Sequence, residues 1–145
     1  MFPGNLASLF DSPMFYRLYS GALAGVDAVE VEIEVNEGGG DPKMIIVGLP
    51  DTAVKESRDR VWTAVGNSGY ARPKGRMTVN LAPADIKKQG PSFDLAIALG
   101  LVVMQENFQE GALEQTAVFG ELALNGHVRE VKGMLSLAET AREAG

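Results

Sequence analysis

Ser92 is placed where a fold displays a nucleophile or closes a loop over a partner. It follows the turn residues Gly90 and Pro91. It opens the run Phe93-Asp94-Leu95-Ala96-Ile97-Ala98-Leu99-Gly100, which is apolar but for one carboxylate. A serine hydroxyl is a weak nucleophile at neutral pH and needs a base to take its proton. The single histidine, His127, sits beside a hairpin glycine without clustered carboxylates, so it builds neither a zinc site nor a triad. Asp85 and Asp94 are separated by a turn and make a poor acid/base pair. Asp94 is read instead as an acidic residue favouring a helix N-terminus, and the ordinary alternative for Ser92 is a capping or turn hydroxyl.

Other residue types close further routes. Zero Cys removes disulfides, thiolate zinc sites and cysteine nucleophiles together. Gly38-Gly39-Gly40 matches neither dinucleotide nor P-loop spacing, and no G-x-x-x-x-G-K-[ST] occurs, so these residues hold no ATP cradle. Arg72, Lys74, Arg76, Lys87 and Lys88 fall close together and are the candidate basic patch for nucleic acid or a partner, with a solvated face as the alternative. Trp62 reads as core rather than as a base-stacking platform.

The elements that position these groups are legible. Tyr16 to Ala22 reads as a short strand. Val29, Val31, Ile33 and Val35 alternate with Glu30, Glu32 and Glu34, giving a strand with one dry and one wet face. Residues 38–42 then form a hairpin tip, and Met44 to Val47 resumes as a buried strand. Asp51 or Thr52 caps a helix with Val54, Val61 and Val65 on one stripe, ended by Gly66 or Gly69. Met77 to Leu81 is a strand running into Pro83. A nearly all-apolar helix spans about Ser92 to Met104 and belongs at the centre. Ala117 to Leu124 and His127 to Val131 form a hairpin about a type I′ turn at Asn125-Gly126. A last helix covers Met134 to Ala144, with Leu137, Ala138 and Ala141 inward. Helices separated by strands on one sheet predict an α+β fold, a two-layer β/α sandwich.

The totals bound the class. At 145 residues, 46% hydrophobic and 22% charged, the chain reads as one globular domain over residues 16–145 with a loose extension at 1–15. No run of about 18 apolar residues and no signal-peptide build are present, so a cytoplasmic location is expected. The net charge of −6 argues against a whole-surface affinity for nucleic acid. Arg142-Glu143-Ala144-Gly145 closes a helix that should feed another strand, so a larger protein is expected to continue.

Three blocks in order resemble the N-terminal region of the magnesium-chelatase-like ComM family. They are residues 46–58, from Ile46-Val47-Gly48-Leu49-Pro50-Asp51 to Arg58; residues 78–86, around Asn80-Leu81-Ala82-Pro83; and Gly90-Pro91-Ser92-Phe93-Asp94-Leu95. Phe119-Gly120-Glu121-Leu122 and Ala141-Arg142-Glu143-Ala144-Gly145 extend the likeness, from which only the glycine-rich tip at 38–42 departs. The resemblance implies a Lon-protease-like fold, of the ribosomal-protein-domain-2-like superfamily, preceding an AAA+ ATPase domain that lies beyond Gly145. It implies ATP and Mg for that absent domain and none in this segment. It also implies a hexameric type of assembly with neighbouring subunits, and a parent acting in DNA branch migration during transformation or as an ATP-dependent protease. The expected partners are the chain's own ATPase domain, neighbouring subunits and DNA, with no membrane.

By that resemblance Ser92 takes the place of the Lon-type nucleophile, since Lys87-Lys88-Gln89-Gly90-Pro91-Ser92 is similar to a Lys-Asp-Gly-Pro-Ser pattern. The base comes from a Gly-x-Val-x-Pro-Val-Gly-Gly-x-Lys segment, matched here by Gly126 to Leu135. Leu135 takes the lysine's position, and leucine accepts no proton. The leading expectation is therefore a non-catalytic accessory domain. The alternative is a serine hydrolase using Lys132, Lys88 or Lys87 as an unorthodox base, and a third reading is an interaction module using residues 29–35 as an edge strand.

Overall fold

The computed structural model describes residues 15–106 and 111–145. The extension expected at 1–15 lies outside these residues except for Phe15, which begins the first strand. Strands β1 (Phe15–Ala24), β2 (Asp27–Gly38), β3 (Lys43–Val47) and β4 (Arg76–Ala82) form one sheet in the order β1-β2-β4-β3. Helices α1 (Thr52–Asn67), α2 (Asp94–Gln105) and α3 (Met134–Ala144), with the short pair β5 (Glu121–Leu122) and β6 (Val128–Arg129), complete a mixed α+β architecture.

Alternation explains the sheet. Leu18 pairs with Ile33, Ile33 with Leu81, and Val35 with Val79; all are fully buried on one face. On the other face, Glu32 pairs with Arg17 at 2.8 Å and Glu34 accepts from Asn80 at 2.8 Å. Strand β2 lies between β1 and β4, so residues 29–35 are not an edge strand as expected. The edges are β1 and β3.

The glycine-rich segment is not a simple hairpin tip either. Gly38 of β2 and Lys43 of β3 both flank Arg76, because β4 is inserted between the two strands. The linker must cross the start of β4 over two inter-strand spacings, about 10 Å. β3, α1 and β4 then make a parallel β-α-β unit.

α2 packs on the dry face: a Cβ at Gly100 would lie 2.7 Å from Val35 and 3.0 Å from Leu18. α3 lies on the other face, at its β1–β2 end. A Cβ at Gly21, one position out of phase with Leu18, would meet Leu137 at 2.9 Å. The two-layer expectation therefore describes α1 and α2 but not α3. Leu137 is buried and Ala141 partly so, while Ala138, expected inward, is exposed. Among the described residues, no helix is long and apolar enough to cross a membrane.

The last hairpin is shorter and wider than expected. Gly126 N–H donates to Ala123 at 2.9 Å and Ala123 N–H to His127 at 2.9 Å, so the loop spans five residues rather than a two-residue turn. Gly126, at φ 90°, packs against Ser68, and Asn67 donates to Leu124 O at 2.8 Å. The end of α1 therefore shapes the loop.

Candidate functional site

Two loops meet where the parallel strands β3 and β4 end. Asp51 N–H donates to Lys88 O at 3.0 Å and Lys88 N–H to Leu49 O at 3.0 Å. Asp51 caps α1 through Val54 N–H at 2.8 Å and also accepts from Gly90 N–H at 3.1 Å. Gly48 passes tight against the Leu81 backbone at φ 103°, where a Cβ has no room, and Leu49 follows at φ 56°. The cap at Asp51 is the one expected. What the sequence did not reveal is that it also holds the Gly90-Pro91-Ser92 turn.

Ser92 is half-buried at the mouth of α2, and its carbonyl accepts from Gly120 N–H at 2.9 Å. α2 itself starts at Asp94, after Phe93, without a side-chain cap, so the capping role considered for Ser92 is not realised. Ser92 lines a cavity of about 580 Å³ with Asp51, Glu121, Glu130, Lys132, Leu23 and Leu137 among its other walls. Among the described residues, no hydrogen bond joins Ser92 Oγ to a lysine amine.

The lysines are placed very differently. Lys88 is fully buried and donates Nζ to Pro83 O. Burial pushes its amine below the ordinary lysine pKa, with Asp85 opposing. Lys87 is exposed, and Lys132 is exposed at the cavity wall. Leu135 is 75% exposed in the first turn of α3 and is not part of the cavity wall.

Asp94 does more than favour a helix end. Its carboxylate is fully buried and accepts from Ser57 Oγ, from Arg60 Nε at 2.8 Å and from Leu122 N–H at 3.1 Å. The bond to Asp94 raises the Arg60 pKa further above its usual value, burial opposing. This network ties α1, α2 and β5 behind the cavity. One signal was available: a lone charge in an otherwise apolar helix must find partners. Its partners on α1 could not be read from the chain.

The five basic residues do not form one patch. Arg72, Lys74 and Arg76 lie before or at the start of β4, while Lys87 and Lys88 follow its end. At about 3.3 Å per residue, the strand separates the two groups by about 20 Å. Arg72 is further engaged with Trp62 O at 3.1 Å, and Lys88 is buried. Trp62 is partly buried against the core, and His127 is exposed, both as expected.

With this geometry in place, comparison with known proteins is informative. Residues 31–145 match the family model described as subunit ChlI of Mg-chelatase. The chain belongs to that family. It is 45% identical over 128 residues to the uncharacterized protein YifB of Salmonella typhimurium, covering 88% of this chain and 25% of YifB. It is 42% identical over 127 residues to the competence protein ComM of Haemophilus influenzae, covering 88% and 25%. An uncharacterized Mycobacterium tuberculosis protein is 42% identical over 129 residues, covering 89% and 26%. The likeness to the ComM family seen in the motif blocks is thereby established. The chain spans about a quarter of the length of these relatives.

Proposed function

We propose that this chain is a non-catalytic accessory domain with a Lon-protease-like fold, belonging to a larger magnesium-chelatase-like AAA+ protein. The observation that carries the reading is at the cavity. Among the described residues Ser92 has no lysine partner, and Leu135, in the motif place of the base, is exposed and off the cavity wall. The serine behind a Gly-Pro turn at the head of a central apolar helix supports the Lon-like assignment. The domain's work is to pack against the ATPase portion and neighbouring subunits of a cytoplasmic ring. ATP and Mg belong to that portion. Similarity to a competence protein supports a parent working on DNA, in branch migration, with direct contacts from this chain through the exposed Arg72, Lys74, Arg76 and Lys87.

Removing residues 16–145 from the parent protein is expected to weaken its assembly, read by sedimentation. A Ser92→Ala parent should assemble and hydrolyse ATP unchanged. Assembly untouched by the truncation contradicts the reading.

One observation favours a second reading, a serine peptidase: Lys132 and Ser92 line the same cavity. A base must come within hydrogen-bond reach of the hydroxyl, so that reading needs the 130–133 segment to close over Ser92.

A further inference from the structure

Beside the cavity, the end of β1, the β1–β2 turn and the start of α3 carry exposed aliphatic side chains. Val26, at the β1–β2 turn, is 88% exposed, and Leu135, Met134 and Leu23 are 75%, 44% and 36% exposed. They belong to one corner. A Cβ at Gly133 would lie 2.5 Å from Leu23, and Ser136 Oγ donates to Val26 O at 3.1 Å. Leu23 also lines the cavity, so the apolar corner continues into it.

The cavity adds charge to that corner. Asp51, Glu121 and Glu130 line it against Lys132, the one cation among the described residues of its wall. The carboxylates do not converge on a point, since no group of three metal-ligating side chains occurs among the described residues. Spread acidic groups beside aliphatic ones fit an elongated ligand carrying separate cationic and apolar groups. Phosphates would be repelled here.

We infer that this corner and cavity form a docking groove for a polypeptide segment bearing Lys or Arg beside aliphatic side chains. Leu135, outside the cavity wall, is an apolar contact of the adjoining corner. The position that a serine–lysine hydrolase gives to its base thus serves as a binding anchor. This rests on the accessory-domain reading and names the surface through which it engages a partner. The aliphatic corner supplies affinity by removing apolar area from water, and the carboxylates select the charge and register of the segment.

The test uses the isotope-labelled chain and a short synthetic peptide of alternating Leu and Lys. A Ser-Lys peptide of equal charge is the control. The Leu-Lys peptide should shift the amides of Leu23, Ser92, Lys132 and Leu135. Leu135→Asp and Glu130→Lys should each weaken it by about tenfold or more. Both residues are exposed, so neither change threatens the fold. Leu124→Asp, at an exposed leucine in the β5–β6 loop outside the cavity wall, should bind as the parent does.

Absence of binding overturns the inference, as do equal binding of the Ser-Lys peptide, shifts centred on Arg72 to Arg76, or self-association through the corner. If binding fails while truncation of the parent still weakens assembly, the accessory reading survives and only the surface is wrong. If truncation has no effect while the peptide binds, the reverse holds.

Discussion

Lys88 shows how far residue type alone can mislead about role. In the chain it is one of five basic residues that could touch phosphate or serve Ser92 as a base. Folded, its amine is fully buried against Pro83 O. Burial lowers its pKa, so between the folded and unfolded values the unfolded chain holds more protons. Stability therefore rises with pH across the alkaline range approaching the unfolded lysine value of about 10.4, and the cost of burying the ammonium is fully present below the folded pKa. Lys88→Met should flatten that rise. At neutral pH it should be neutral to stabilising, by up to about 2 kcal/mol. Urea unfolding at neutral pH and at pH ~9.5 checks both; a loss above about 3 kcal/mol would show the amine to be structurally essential. At this scale Ser92, the exposed His127 and the Asp51 cap were readable from local sequence. The burial of Lys88 was not, because it depends on the Pro83–Gly90 loop folding back onto residues 49–51.

Among the elements, alternation and turn residues located the strands of the main sheet and the helices well, but not the extent of the last hairpin or which strands are neighbours. Period 2 fixed the dry face of β2, yet placing that strand inside the sheet required knowing that β4 inserts between β2 and β3. The same limit hid the Asp94 network, since Ser57 and Arg60 meet it across 37 and 34 residues. Asp94→Ala would leave Arg60 Nε and Leu122 N–H without their acceptor, with the guanidinium held, among the described residues, only through Nη2 to Ala53 O and Ser57 Oγ and by Glu56. It should cost about 3–5 kcal/mol. Ser57→Ala should cost only about 1–2 kcal/mol. Chemical denaturation of the two variants measures both. Equal small effects would mean that the network does not hold α1, α2 and β5 together.

Across the whole molecule, the arrangement separates its charges. The motif blocks that carried the family likeness form the loops at the ends of β3 and β4 and the start of α2. Arg72, Lys74 and Arg76 sit at the end of β4 opposite the Ser92 cavity, whereas the exposed Lys87 lies in the loop that leads into it. The cavity is acidic and edged with aliphatic side chains, which suits a polypeptide better than a nucleic acid. α3 brings Leu135 from the second face of the sheet to the corner beside Leu23. Sequence periodicity could not have placed it there, because it gave α3 an inner face without saying which layer it covers.

The central claim is that Ser92 sits in a binding cavity and does not cut. Its most direct test is hydrolysis of a fluorogenic peptide substrate by this chain, and by the ATP-supplied parent, each against its Ser92→Ala form. The account predicts rates that match within error in both comparisons. Turnover that disappears with Ser92→Ala would contradict it and would make Lys132 the base to examine.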